Sequence, residues 1–83
     1  MGTLTGKHAL VLGAGETGAL VARLLRKAGV GRLVLANRTE AIAKSVATAL
    51  DAEAVRLDAV DGLLSEVDLV VGALGGELGV IEL

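Results

Sequence analysis

Short apolar runs alternate along the chain with longer segments that mix apolar and polar residues. The first run spans residues 8–12 and stops at Gly13, and similar runs follow at 32–36, 54–57 and 68–74. Continuous apolar character is typical of strands that are buried on both faces, so these runs predict the strands of a parallel sheet. Arg56 in the third run indicates an edge position. Residues 80–83 fit either a fifth strand or a frayed tail.

The segments between the runs have the spacing of helices. Over residues 16–28, Leu20, Leu24 and Leu25 predict a buried helix face, while Arg26 falls on the arc predicted to face water. Gly29 is a natural residue to end this helix.

Two further helices are predicted. Thr39 can cap the first of them, which runs to about Leu50. Its predicted buried face comprises Ile42, Val46, Ala49 and Leu50. Asp58 can cap a short helix over residues 59–66, although Gly62 weakens it.

The predicted order of elements is β-α-β-α-β-α-β. Strands that alternate with helices form parallel sheets with right-handed crossovers, because each helix must pack back onto the sheet. The sequence therefore predicts an α/β fold, a doubly wound parallel sheet of about four strands in the order 3-2-1-4 with helices on both faces.

A glycine-rich turn joins the first predicted strand to the first predicted helix. Its residues match the pattern G-x-G-x-x-G and are Gly13, Ala14, Gly15, Glu16, Thr17 and Gly18. In this context the first glycine makes a tight turn, the second lets the backbone approach a pyrophosphate, and the third allows close helix packing. The N–H groups and dipole of the helix start favour an anion. Glu16 fits a solvent-facing acid of the first turn, and Thr17 either binds phosphate or only occupies that turn.

The choice of dinucleotide is expected to depend on the end of the second strand, where NAD-binding domains carry an acidic residue. This chain has Asn37, Arg38 and Thr39 there. A guanidinium can pair with a 2′-phosphate, and Thr39 adds a hydroxyl at a helix start, so this segment predicts NADP. Glu40 is the residue that could instead support NAD, but its position suits a favourable interaction with the helix dipole.

The end of the fourth predicted strand is a further candidate contact. Ala73 and Leu74 lie there, followed by two glycines, at the crevice between strands one and four where the strand order reverses. Ligands bind at this place in open α/β sheets, so these residues are predicted either to contact the cofactor or to form a plain exit loop.

Composition limits the other functions. The 83 residues include no Cys and no aromatic residue, which excludes thiolate metal sites, cysteine catalysis and the usual base-stacking surfaces. A net charge of −2 without charge runs argues against a nucleic-acid or membrane surface. No apolar run approaches the ~20 residues of a membrane span, and no secretory signal is present. We expect one soluble, cytoplasmic domain, with His8 a strand-end residue and no metal site.

The chain resembles the NADP-binding, Rossmann-like domain of glutamyl-tRNA reductase over nearly its whole length. The resemblance rests on residues 4–7, on 9–18 with the glycine turn, on 36–39 and on 63–71. Shikimate dehydrogenase is the next most similar family; its members usually carry a small residue where Glu16 stands. The resemblance implies an enzyme that reduces glutamate on its tRNA with NADPH, for tetrapyrrole synthesis. It also implies cofactor roles for Gly13, Gly15, Gly18 and residues 37–39.

The departures from that family define what is expected of residues 1–83. The family's catalytic cysteine and its tRNA-binding surface belong to another domain, so this chain is expected to be a cofactor-binding fragment that neither reduces substrate nor binds nucleic acid by itself. A minimal or engineered scaffold and a nucleotide sensor are the alternatives. Because the expected sheet stops near strand four, its unpaired edge predicts self-association.

Overall fold

A computed structural model describes residues 5–13, 16–72 and 79–82 of the chain. The strands are β1 (His8–Leu12), β2 (Arg32–Asn37), β3 (Glu53–Arg56), β4 (Leu69–Gly72) and β5 (Gly79–Glu82). The helices are α1 (Glu16–Lys27), α2 (Glu40–Leu50) and the short α3 (Val60–Leu63), which a 3-10 turn over Leu57–Ala59 precedes. The sheet order is β3-β2-β1-β4-β5, and the first four strands run parallel. The predicted doubly wound order 3-2-1-4 is therefore confirmed.

The fifth strand settles what the pattern left open at residues 80–83. It pairs antiparallel with β4, with Val70 opposite Ile81. The expectation of an unpaired edge beside strand four is therefore wrong, because β5 supplies the backbone partners of that edge. The fourth strand covers only part of the predicted 68–74, and Ala73 and Leu74 lie outside the described residues.

Apolar side chains of the sheet form a separate cluster on each face. Leu33 and Leu35 of β2 pack with Leu25 of α1 and Ala47 of α2 on one face. Val34 of the same strand packs on the other face, with residues of the 3-10 turn and α3 beside it. Successive residues of a strand point to opposite faces, so the fully apolar runs supply both clusters at once. The prediction of helices on both faces follows from this and is confirmed.

The buried face of α1 differs from the predicted one. Gly18, Ala22 and Leu25 are buried, whereas Leu20 and Leu24 are 52% and 57% exposed. Small residues four apart allow the helix axis to approach the sheet closely, which large leucines at that stripe would prevent. The leucine spacing thus predicted the helix and the burial of Leu25 correctly, but the predicted burial of Leu20 and Leu24 is wrong.

Arg26 also departs from its predicted, solvent-facing position. Its guanidinium donates hydrogen bonds to three backbone carbonyls: Leu50 at 3.1 Å, Asp51 at 3.0 Å and Val30 at 3.3 Å. Leu50 ends α2, and terminal carbonyls of a helix lack partners within the helix. Arg26 therefore links the carboxyl ends of α1 and α2 through hydrogen bonds.

The carboxyl end of α1 is terminated at Gly29, as predicted. This residue has φ +90°, and its N–H donates to the carbonyl of Arg26 while that of Val30 donates to Leu25. These two bonds form a Schellman motif, which needs a left-handed residue at this position.

The predictions for the other two helices need correction in detail. Thr39 is the N-terminal cap residue of α2, but its side chain makes no capping hydrogen bond. The buried positions of α2 are Ala43 and Ala47, and of the predicted face Val46 and Leu50 are partly buried against the same cluster. Ile42 is 43% exposed and Ala49 is exposed, so these two predictions are wrong. The third helix is shorter than predicted and Asp58 does not cap it, because this residue lies within the 3-10 turn.

Two glycines make a close backbone contact at the amino end of the sheet. A Cβ at Gly31 would lie 2.9 Å from the carbonyl oxygen of Gly6, and the N–H of Gly31 donates to Lys7 at 2.7 Å. The atoms that a Cβ at Gly31 would contact are backbone atoms, which cannot rotate away as a flexible side chain can. We therefore expect Gly31→Ala to lower the free energy of unfolding by about 1–2 kcal/mol. Gly62→Ala is the matched control: nothing lies within 4 Å of that Cβ, so it should be neutral or slightly stabilising. Urea denaturation of both variants measures the difference, and an equal effect at the two positions would contradict it.

An ion-pair network joins β2, β3 and the turn before β4 at this same end. Arg32 Nε lies 2.7 Å from Glu53 Oε2, and Arg32 Nη1 lies 3.1 Å from Glu66 Oε1. The side-chain hydrogen bond from Arg32 lowers the pKa of Glu53 below its ordinary value.

This lowered pKa predicts how stability depends on pH. A carboxyl group whose pKa falls on folding contributes stability above its unfolded pKa of about 4.3 and loses it as pH drops through the folded value. We therefore expect the stability difference between the original chain and Glu53→Gln to be largest near pH 7 and to shrink below about pH 4. Urea midpoints measured from pH 7 to pH 3 test this. A difference that stays constant from pH 7 to pH 3 would contradict this prediction.

Candidate functional site

The predicted site residues that the structure describes lie at the carboxyl edge of the sheet. Leu12, the last residue of β1, is level with Ala36 of β2 and with Gly72 of β4. Asn37, the last residue of β2, is level with Arg56, the last residue of β3. Parallel register therefore brings the ends of these four strands together at one edge, which is where open α/β sheets bind ligands.

The glycine turn starts as its sequence predicts. Gly13 has φ +95° and is buried, and its N–H donates to the carbonyl of Ala36 at 2.7 Å. Residues with a Cβ rarely adopt this backbone conformation, which explains the glycine physically. The chain therefore leaves β1 through a left-handed residue at Gly13, as predicted for the first glycine of the pattern.

The second half of the turn opens α1. Glu16 is exposed in the first helical turn, Thr17 is half-buried and Gly18 is buried. The role of Gly18 in close helix packing stays a prediction, and its burial is compatible with it. Ala14 and Gly15 lie outside the described residues, and their predicted contact with a pyrophosphate stays a prediction.

The segment after β2 is an ordered turn into α2. Asn37 Nδ2 donates to the carbonyl of Thr39 at 3.2 Å, and that carbonyl also accepts the N–H groups of Ile42 and Ala43. Thr39 itself is extended, with φ −94° and ψ 105°. Arg38 lies between them and is exposed. The turn therefore holds Arg38 and the Thr39 side chain beside the amino end of a helix.

An open cavity of about 390 Å³ lies beside this turn. Its lining comes from the β2–α2 turn and from the end of β3 with the residues after it, namely Asn37, Arg38, Glu40, Arg56, Leu57 and Asp58. Sequence reasoning placed Arg56 at a sheet edge and did not assign it to the site. The signal that would have found it is the parallel register, since the ends of neighbouring strands meet at one edge.

Charges of both signs line the cavity. Arg56 Nη2 lies 3.2 Å from Asp58 Oδ2, and Lys44 Nζ lies 3.6 Å from Glu40 Oε1. Arg38 has no ion pair with any other residue that the structure describes. Both carboxylates of the cavity are thus already paired with a cation, whereas the Arg38 guanidinium is available to an anion.

The remaining candidate positions are Ala73, Leu74 and His8. Ala73 and Leu74 belong to the part of the chain outside the described residues. His8 lies at the opposite end of the sheet, where its Nδ1 is 3.2 Å from the carbonyl oxygen of Glu66. Within residues 5–13, 16–72 and 79–82 no group of three acidic or histidine side chains could hold a metal ion. In the same ranges, the helices are too short to cross a bilayer.

Comparison with known proteins agrees with this geometry. Glutamyl-tRNA reductase of Methanosarcina acetivorans is 45% identical over 74 residues, which are 89% of this chain and 16% of the relative. The structure of glutamyl-tRNA reductase from Methanopyrus kandleri superposes with a TM-score of 0.77 at 43% identity, over 87% of this chain and 18% of that one. The chain therefore spans less than a fifth of the length of these relatives.

Shikimate dehydrogenase is also a structural neighbour. The enzyme from Aquifex aeolicus superposes with a TM-score of 0.75 at 31% identity, over 87% of this chain and 26% of that one. The predicted resemblance to both reductase and dehydrogenase is confirmed. The model of the family described as Shikimate / quinate 5-dehydrogenase matches residues 1–82, and the chain belongs to that family.

Proposed function

We propose that this chain is the NADP(H)-binding domain of an NADPH-dependent reductase similar to glutamyl-tRNA reductase. The observation that carries the proposal is the exposed guanidinium of Arg38, which forms no ion pair with the described residues and lies beside an open cavity at the carboxyl edge of the sheet. A guanidinium binds phosphate through paired, charge-assisted hydrogen bonds. An NAD-binding domain would carry a carboxylate at this place to accept the ribose hydroxyls.

The residues present fit the adenosine end of NADP. Arg38 would pair with the 2′-phosphate, and the Thr39 hydroxyl, which makes no capping bond to its own helix, would donate to the same phosphate. The amino end of α2 supports an anion there through its dipole. Asn37 holds this turn by its bond to the Thr39 carbonyl, so it would position Arg38 and Thr39 for the phosphate.

The glycine turn would serve the pyrophosphate. The left-handed Gly13 turns the chain out of β1, and the first N–H groups of α1 would face the phosphate oxygens with Thr17 near them. Ala14 and Gly15 would allow close approach of the backbone. Glu16 is exposed and would point to solvent, away from the anion. Ala73 and Leu74 would contact the nicotinamide half beyond β4.

In such a reductase, this chain would perform only part of the work of a longer protein. When bound, NADPH supplies the hydride for reduction. The 83 residues contain no Cys, so the nucleophile that the reductase family uses is not among them. The work we assign to this chain is to bind and orient the cofactor. Substrate recognition is left to other segments.

A cofactor domain of the shikimate dehydrogenase type is the second candidate. The family match over residues 1–82 and the superposition on the Aquifex aeolicus enzyme support it. Both candidates assign the same residues to NADP, and they differ only in the substrate that the rest of the protein would reduce. A scaffold that has lost cofactor binding is the alternative outside enzymes.

Titration of the chain with NADPH and with NADH tests the proposal. Because the chain has no Trp, cofactor fluorescence and calorimetry report binding, and backbone amide shifts locate it. We expect saturable binding, tighter for NADPH, with shifts at Gly13, Gly18 and Arg38. Unchanged spectra at millimolar concentrations of both cofactors would overturn the proposal in favour of a scaffold.

A further inference from the structure

We propose that Arg56 is a second residue that recognises the 2′-phosphate, and that Asp58 occupies its guanidinium until the cofactor displaces it. This inference deepens the proposed function and rests on it. Its consequence is that preference for NADP depends on two strands, through Arg38 after β2 and Arg56 at the end of β3.

The sheet register places Arg56 beside the phosphate-binding turn. It is level with Asn37 in the pairing of β2 with β3, and Arg38 directly follows Asn37 in the sequence. Ala54, two residues before Arg56, packs in the same cluster as Leu35, two residues before Asn37. Because side chains alternate along strands, Asn37 and Arg56 belong to the same face of the sheet. Both also line the cavity beside Arg38.

The present partner of Arg56 is one that an anion can replace. Arg56 and Asp58 are 3.2 Å apart, with side chains 71% and 69% exposed. Ion pairs this exposed contribute little to stability, since water screens them and two long side chains must be held still. A phosphate offers a larger charge and more acceptor oxygens than one carboxylate, so exchange of partners favours the phosphate.

Asp58 has the opposite effect on the same ligand. Its carboxylate lines the cavity together with Arg38 and Arg56, and it would repel a bound 2′-phosphate. It also competes for the guanidinium of Arg56. Neutralising Asp58 should therefore strengthen binding of the phosphorylated cofactor, while a cofactor with a free 2′-hydroxyl should respond little.

Arg56→Gln tests the phosphate contact directly. Arg56 ends an exposed edge strand, so the variant should fold, which circular dichroism can verify. We expect the dissociation constant of NADPH to rise about tenfold and that of NADH to change less than about twofold, because only NADPH carries the 2′-phosphate. Arg23→Gln, at an exposed position of α1, removes the same charge away from the cavity and should leave both constants unchanged.

Asp58→Asn tests the competing carboxylate. We expect NADPH to bind about threefold more tightly and NADH to bind as before, since only the phosphate is repelled. The fragments 2′,5′-ADP and 5′-AMP repeat the comparison without the nicotinamide half. Part of this gain in NADPH affinity is expected because Asp58→Asn frees the guanidinium of Arg56. The double variant Arg56→Gln/Asp58→Asn should therefore lack that part of the gain.

The outcomes separate this inference from the proposed function. If the original chain binds NADPH and Arg56→Gln leaves the NADPH-to-NADH ratio unchanged, Arg56 does not read the phosphate and this inference is overturned alone. Equal weakening of both cofactors would assign Arg56 to the adenine ring or to general attraction, which also overturns it. If the original chain binds neither cofactor, the proposed function fails first.

Discussion

Arg38→Ala is expected to weaken NADPH binding by about 1.5–3 kcal/mol, the size of charge-assisted hydrogen bonds, which is about ten- to a hundredfold in the dissociation constant. The Arg38 guanidinium is exposed beside the cavity and forms no ion pair with the described residues, so its loss removes a ligand contact without disturbing the fold. NADH lacks the 2′-phosphate and should bind almost as before. Calorimetric titration of both cofactors measures the two constants.

Arg38→Lys is the matched control for this prediction. A lysine keeps the charge but cannot form the paired hydrogen bonds of a planar guanidinium, so it should recover only part of the NADPH affinity. Full recovery would mean that charge alone matters. Equal loss of NADPH and NADH in Arg38→Ala would contradict the assignment of Arg38 to the 2′-phosphate.

Arg26→Ala is expected to lower the free energy of unfolding by about 2–3 kcal/mol, because hydrogen bonds to charged groups contribute more than neutral ones. The half-buried guanidinium donates to Leu50 and Asp51 at the end of α2 and to Val30 after α1. Its removal leaves these carbonyls with water or without a partner. Urea denaturation followed by circular dichroism measures the loss.

Two variants check that the loss comes from the forked contacts. Arg26→Lys retains the charge in the last turn of α1 but cannot reach three carbonyls at once, so it should remain clearly less stable than the original chain. Lys27→Ala removes an exposed charge from the same turn and should change stability by less than about 0.5 kcal/mol. A similar loss in Lys27→Ala and Arg26→Ala would point to the helix dipole instead.

Local chemistry explains why much of the candidate site could be predicted from the sequence. A strand followed by G-x-G-x-x-G and a helix is a local pattern, and Gly13 adopts the left-handed backbone that the pattern requires. The Asn-Arg-Thr segment likewise predicted the turn that we propose binds the 2′-phosphate, and the structure places Asn37 and Arg38 at the same sheet edge. Both features depend on residues close together in the sequence, which is why they could be identified without the fold.

Arg56 could not be assigned in the same way. Nearly twenty residues separate it from Asn37, and only the pairing of β2 with β3 brings the two strand ends level. The same limit applies to Arg26, whose carbonyl partners belong to another helix. A long polar side chain can face water or reach a distant backbone group, and its own sequence neighbours do not distinguish these cases.

The sequence by itself determined the order of strands and helices, the doubly wound class and the position of the glycine turn. These features depend on the spacing of apolar residues and on the backbone conformation of single glycines, and both are properties of short segments. The tertiary structure alone decided which stripe of α1 is buried. Gly18, Ala22 and Leu25 are buried and Leu20 and Leu24 are not, because small residues on this stripe let the helix approach the sheet closely. It also decided that β5 runs antiparallel beside β4 and that Arg56 shares a cavity with Arg38. Those outcomes depend on which strands become neighbours, and that is a property of the whole chain.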